Sequence, residues 1–392
     1  METVFLDMYQ SAAIGAVVLV AGLFLVWHFR ILKKYCVPAA VVGGLLFSVF
    51  TLVLHDADIA TLEFDRTIRD LTMTMFFCSV GFMSSLSMMK RGGRLMLIMV
   101  AIVGAMVIVQ DVIGIVAVSS MDLDPKFGLV LGSISLFGGH GTAAAYGDIL
   151  VNQYGLVGAD VVAVAAATFG LAIAGIIGGP LGRRLIVRNG LKPTADHMEY
   201  EDEEDVPIVN NNFLKAVVAL LVCMGIGTLI NGFFSSVGVT LPGYLGALIV
   251  AIIVKNVCDA KGLPLPDREI GILGWVSVCM FLSMALMSLE LWQLVDLAIP
   301  MVVVLCIQTV VLTAVVYFVV FKATGKTFES AALSAGMMGF GMGATPNAVA
   351  NMDAIIKEHG PAPEAYFIIP MIGGVFLDII NVVVLTFFLN TL

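Results

Sequence analysis

The chain has 392 residues, of which 60% are apolar and 12% charged, with a mean hydropathy of +1.03 and a formal charge of −9. A soluble domain carries about 45–50% apolar and about 25% charged residues. This composition therefore excludes a water-soluble globule, a disordered chain and a collagen-like one, and the acidic balance leaves no basic surface for nucleic acid.

A bilayer core about 30 Å thick is crossed by about 20 apolar residues in a helix. Ten runs meet that requirement, near residues 11–29, 37–54, 71–89, 95–119, 156–181, 213–235, 241–256, 271–289, 297–321 and 366–389. The expected class is an all-α polytopic membrane protein. The first run reads as a span and not as a signal peptide. Glu2 and Asp7 precede it and Arg30, Lys33 and Lys34 follow it, the reverse of a basic leader. The six cysteines are widely scattered without a CxxC pair, so they predict neither a disulfide framework nor a zinc site.

Two further stretches, about 127–150 and 328–352, are rich in small residues but broken by Gly, Pro, Asn and His. They read as non-spanning re-entrant elements folded around glycine turns. The distribution of basic residues tests this. With both termini outside and ten spans, 17 of the 20 Lys and Arg fall in cytoplasmic loops, leaving only Arg66, Arg69 and Lys126 outside. Counting either broken stretch as a crossing destroys the asymmetry. The segment 182–212 is then a cytoplasmic linker whose Glu199–Asp205 run holds six acids in seven residues.

The regions flanking the linker resemble each other at a nearly constant offset. Pro38 matches Pro242, Asp65-Arg66 matches Asp267-Arg268, Gln110 matches Gln308, and Gly139-His140-Gly141 matches Gly341-Met342-Gly343. The expected organisation is a five-span repeat over 1–181, the acidic linker, and a second five-span repeat over 213–392. Because five is odd, the second copy is inverted in the membrane, which is the sequence signature of secondary transporters.

The chemistry concentrates in the two glycine runs. Bare backbone at membrane depth is tolerated only where protein or a watery cavity satisfies it, and glycine lets a ligand approach the amides directly. A turn that starts a helix also favours an anion through its free N–H groups. The candidate substrate-binding residues are Gly138, Gly139, His140, Gly141 and Thr142 in the first run. In the second they are Gly341, Gly343, Ala344, Thr345, Pro346, Asn347 and Asn351. The competing reading is close helix packing through small residues.

Intramembrane carboxylates are functional candidates by default. Asp378, Asn381, Asp111 and Thr345 supply the hard oxygens that suit sodium as a coupling ion. Gln110 and Gln308 read either as interhelical hydrogen-bond partners or as pathway lining. No nucleophile–base pair, metal cluster or cofactor fingerprint is legible, so neither an enzyme nor a bound cofactor is expected.

At these motifs the chain resembles the bacterial glutamate:sodium symporter family. The likeness lies in Gly138-Gly-His-Gly-Thr142, in Gly339-Phe-Gly-Met-Gly-Ala-Thr-Pro346 and in Ala348-Val-Ala-Asn-Met352. Lys34-Tyr-Cys-Val-Pro38, Arg91-Gly-Gly-Arg94, Ala167-Thr-Phe-Gly-Leu171, Gly178-Gly-Pro180, Met284-Ala-Leu-Met287 and Leu377-Asp-Ile-Ile-Asn381 extend it over nearly the whole chain. The chain departs from the family pattern at Ala143, Tyr146, Asp148 and Asp353. The resemblance implies two inverted five-span domains with re-entrant loops at the translocation site, and sodium-coupled uptake of L-glutamate across the bacterial inner membrane by a homodimer. The alternatives from the residues themselves are a sodium- or proton-coupled carrier of another amino-acid or dicarboxylate anion, and a cation channel.

Overall fold

Asp7 opens the first helix. Its carboxylate accepts from the N–H groups of Tyr9 and Gln10 at 2.8 and 2.9 Å, while Gln10 Oε1 accepts from the Asp7 N–H at 3.0 Å. This reciprocal cap satisfies donors that the first turn leaves open. Helix α1 (Met8–His28) then runs with Val17, Leu23, Phe24 and Trp27 exposed. A helix apolar around its circumference suits hydrocarbon and not water.

The computed structural model describes residues 2–34, 37–85, 93–193, 210–236, 242–292 and 297–392. The acidic run 199–205 lies outside them. After α1 come α2 (Ala39–Asp56), α3 (Thr67–Met83) and α4 (Gly93–Ser119). The stretch 127–150 forms a short helix α5 (Lys126–Leu129), a π-turn at Val130–Ile134, and α6 (Gly139–Tyr154). Helices α7 (Ala159–Asn189), α8 (Asn210–Ser236), α9 (Leu245–Lys261), α10 (Asp267–Met287) and α11 (Ala298–Val315) follow. The stretch 328–352 becomes the start of a helical hairpin, α12 (Phe328–Met342) and α13 (Thr345–His359), and the chain closes with α14 (Pro363–Thr391).

Among the described residues eight helices are long and apolar enough to cross a membrane: α1, α2, α4, α7, α8, α10, α14, and α11 with its continuation to Ala323. The chain is thus a multi-pass helical membrane protein. The other two expected spans, 71–89 and 241–256, overlap α3 and α9, of 17 residues each, or about 26 Å at about 1.5 Å per residue; residues 86–89 and 241 lie outside the described residues.

One element departs from the all-helical expectation. Glu2–Leu6 (β1) and Ala60–Phe64 (β2) pair in parallel, Glu2 opposite Ala60 and Leu6 opposite Phe64. A parallel pair needs a long crossover; here α1 and α2 supply it, returning the chain to the end where it began. No alternating apolar pattern announces these strands, because the two meet only once the helices are in place.

The chain divides into two compact units, each taking elements from both sequence halves. The first comprises Met1–Ser85, His140–Val164 and Ile208–Ala298. In it α1 crosses α2 at Gly22 and Gly43, where a Cβ on either would collide with the facing backbone, and α8 crosses α9 in the same manner at Gly227 and Gly246. Cys78 and Phe82 of α3, Leu220 and Cys223 of α8, Ala247 and Ala251 of α9 and Ile270 of α10 form one buried cluster. At one end, Arg69 on α3 holds Asp148 on α6; at the other, Lys255 Nζ donates to Asp267 at 2.6 Å.

The second unit comprises Leu86–Gly139, Ala165–Pro207 and Ile299–Leu392. Its centre is the α12–α13 hairpin, whose legs touch at Gly339 and Ala348 so closely that no side chain fits at Gly339. Glu329, at the start of α12, accepts from the N–H of Ala365 at the start of α14 at 2.8 Å. The hairpin therefore begins beside the point where the next helix begins, so its two legs go in and come back. Gly336 backs onto Ile369 of α14, and Gly182 of α7 backs onto Ile355 of α13.

Candidate functional site

The hairpin tip follows from its sequence. Gly343 has the Gly339 carbonyl, the Asn347 amide and Ala174 within 2.8–3.3 Å of where a Cβ would stand. Ala344 caps α13 in extended conformation without a side-chain hydrogen bond, and Pro346 sits in the first turn, where its missing N–H costs nothing. α13 consequently starts without a cap from the side chain of its own N-cap residue. Thr345 is half-buried and Pro346 exposed, whereas Asn347 and Asn351 are buried.

Asn347 and Asn351 lie one helical turn apart and both reach back to α7. Asn347 Nδ2 donates to the Leu171 carbonyl at 2.7 Å. Asn351 Nδ2 donates to Ala174 at 3.1 Å and to Ala335 at 3.3 Å. These two predicted site residues fasten the hairpin to its neighbours. The α7 contribution, bare backbone at Gly170 and Gly178 beneath the hairpin, was missed in the sequence reading. Its signal was the small-residue face Gly170, Ala174, Gly178.

The two glycine runs meet. Gly139 has φ +59°, a left-handed conformation that glycine adopts without penalty, and a methyl group there would stand 2.9 Å from the Gly343 carbonyl oxygen. Gly341 is held on the same side: its carbonyl accepts from Gln110 Nε2 at 3.0 Å, and Gln308 Nε2 donates to the Gln110 carbonyl at 2.7 Å. The glutamines thus act as interhelical hydrogen-bond partners. Their Oε1 atoms are buried without a hydrogen-bond partner among the described residues. His140, Gly141 and Thr142 fall in the first unit; His140 and Thr142 are buried there and Gly141 faces the Phe76 ring.

The sodium candidates all lie in the second unit. Both carboxylate oxygens of Asp111 accept from Ser133, Oδ1 from the N–H at 2.8 Å and Oδ2 from the hydroxyl at 3.0 Å. Ser133 lies in the π-turn, next to Gly132, whose φ of −104° and ψ of −128° break the helix. Asn381 Nδ2 donates to the Ser133 carbonyl at 3.1 Å, and its Oδ1 is buried without a hydrogen-bond partner among the described residues. Asp378, one turn earlier, is half-buried and makes no ion pair among the described residues. The Thr345 hydroxyl approaches α14 at Gly373. Ser133, which joins Asp111 to Asn381, was not singled out in the sequence; lone serines in apolar runs carry little signal. No group of three or more His, Cys, Asp or Glu among the described residues is arranged to hold a metal ion, so oxygens of mixed origin are what this unit offers a cation.

The sequence profile of the sodium/glutamate symporters matches residues 4–361. The chain belongs to that family. The sodium/glutamate symporter of Escherichia coli (strain K12) is 36% identical to it over 391 residues, 98% of each chain, and that of Haemophilus influenzae is 35% identical over 386 residues, 96% of each. A solved sodium proton antiporter from Methanocaldococcus jannaschii aligns over 98% of both chains at 13% identity with a TM-score of 0.46. In this symporter-family chain the glycine turns at Gly139 and Gly343 approach each other in the second unit.

Proposed function

We propose that the protein couples inward movement of sodium to uptake of L-glutamate through the bacterial inner membrane, as a ten-span carrier built from two inverted repeats. The observation that carries this reading is the meeting of the two glycine turns, Gly139 against the Gly343 carbonyl, beside the uncapped start of α13. That arrangement offers an anion the backbone donors of Gly343, Ala344 and Thr345, with Gly138, Gly139, Gly341, Pro346, Asn347 and Asn351 shaping or fastening the turns; in the first unit His140, Gly141 and Thr142 are kept as substrate-binding candidates.

Sodium is assigned to Asp378, Asn381 and Thr345, with Asp111 organising the turn beside them. The buried Asn381 Oδ1 supports this, since an amide oxygen is a hard donor that sodium suits. Bound sodium places positive charge near the anion site, so each co-ligand favours the other's binding. Exposure of the site to the opposite side then shifts only when both are present. The repeated glycine crossings, Gly22 with Gly43 and Gly227 with Gly246, support the repeat, and the return of the hairpin beside Ala365 supports its re-entrant path. The linker 182–212 is assigned to the cytoplasm and the assembly to a homodimer, following the basic-residue asymmetry and the family resemblance.

Labelled L-glutamate uptake into proteoliposomes tests the reading. Accumulation with an inward sodium gradient, and none with an equal potassium gradient, is the expected result. Saturable exchange of a different anion only would replace the substrate. Ion current without solute exchange would replace the carrier by a channel.

A further inference from the structure

In the second unit, α7 and α11 leave an open groove of about 710 Å³ between them. Ile176, Ile177, Pro180 and Leu181 form one wall, and Val310, Ala314 and Phe318 the other. The hydroxyls of Thr309 and Thr313 along it are bonded to carbonyls of their own helix at 2.7 Å, so the floor is apolar in effect. Ile176, Val310 and Phe318 are more than half exposed.

One end of the groove is cationic. Arg184 and Arg188 are four residues apart and share a helix face near the α7 terminus. Arg188 Nη1 donates to the Tyr317 hydroxyl at 3.0 Å, and Arg184 and Arg188 make no ion pair among the described residues. Their neighbour Arg183 turns elsewhere and is paired with Glu358 at 2.9 Å. The unpaired guanidiniums and the tyrosine lie where the apolar runs of α7 and α11 end, the depth at which headgroups sit.

We propose that this groove is a binding site for an anionic phospholipid, its acyl chain lying between α7 and α11 and its phosphodiester held by Arg184, Arg188 and the Tyr317 hydroxyl. The charge complementarity selects this occupant. A zwitterionic lipid brings a cation to a site that already carries two, and a guanidinium fork matches phosphate oxygens. Each arginine near the headgroup level contributes about fivefold in affinity.

The test is thermal unfolding of the detergent-purified full chain with added dioleoyl phosphatidylglycerol, dioleoyl phosphatidylcholine or glycerol 3-phosphate, together with native mass spectrometry to count retained lipid. Phosphatidylglycerol should raise the unfolding temperature and be retained; the other two should not. The Arg184→Gln/Arg188→Gln variant should bind it about thirty-fold more weakly, whereas Arg183→Gln should respond as the parent does. Ala314→Trp, which fills the groove and leaves the arginines, should also lose the response. Equal stabilisation by phosphatidylcholine, a response to glycerol 3-phosphate alone, or an unchanged response in the double variant overturns the proposal. So does a photo-crosslinker at Val310 that captures a second copy of the chain and no lipid.

Discussion

Asn351 and Gly178 fit one another across two helices: the Asn351 amide occupies the place that a Cβ on Gly178 would take, and from there its Nδ2 reaches the Ala174 carbonyl at 3.1 Å. The bare backbone of α7 and the buried amide of α13 are one feature. Asn351→Ala removes the donor to two buried carbonyls, with an expected cost of about 1–3 kcal/mol. Gly178→Ala overpacks the same place at about the same cost. Both variants should unfold at lower temperature and transport less. A residue that only touched substrate would raise the KM for glutamate while leaving the unfolding temperature unchanged, and differential scanning of the two proteins separates the cases.

A second prediction concerns Gly139, where a left-handed backbone and the nearby Gly343 carbonyl both exclude a side chain. Gly139→Ala costs about 1–2 kcal/mol for the conformation alone, and the close approach pushes the two turns apart. Uptake should fall to background while membrane insertion persists. Gly225→Ala on α8 meets no atom of another element within 4 Å among the described residues and serves as the control, with full uptake expected.

How legible this was in the sequence differs by feature. Eight of the ten apolar runs overlap helices long and apolar enough to cross a membrane, because apolar length is a local property. The glycine turns were legible because Gly, His, Thr, Pro and Asn in apolar surroundings exceed what helix packing needs. The β1–β2 pair and the Asp111–Ser133–Asn381 chain were not, since each joins segments far apart in sequence whose individual residues are unremarkable. Asn347 and Asn351 stand out in the sequence as polar residues in apolar surroundings but not as ties to α7; the type of a buried amide does not say which carbonyl it meets.

Asp111 has two effects that substitution can separate. Asp111→Ala leaves the Ser133 N–H and hydroxyl without their acceptor, with an expected loss of about 1–3 kcal/mol. Asp111→Asn keeps an acceptor for the N–H and a donor for the hydroxyl, so its stability should stay near that of the parent, and only the charge disappears. The expected outcome for the asparagine variant is an intact fold with a several-fold higher sodium concentration for half-maximal uptake. Unchanged sodium dependence would leave Asp111 a positioning residue for the π-turn alone.

The last prediction addresses the first unit. Arg69 lies almost wholly buried and makes a two-bond pair with Asp148, Nη1 to Oδ1 and Nη2 to Oδ2, both at 3.0 Å, while Nε and Nη2 also reach Asp70 at 3.0 and 2.9 Å. The pair borders a cavity of about 340 Å³ that Asp160 and Glu290 also line. Removing the arginine leaves Asp148 with only the exposed Arg66 at 3.4 Å as counter-ion, whereas removing Asp148 leaves Arg69 still paired with Asp70. The two substitutions should therefore be unequal. Arg69→Gln is expected to cost about 2–3 kcal/mol, and Asp148→Asn, which retains an acceptor and the Arg69–Asp70 bonds, about 1 kcal/mol. High salt screens exposed charges more than buried ones, so the difference between the two unfolding temperatures should survive 0.5 M sodium chloride in the assay. Equal losses, or a difference that vanishes with salt, would show that the pair behaves as a surface contact and does not tie α3 to α6.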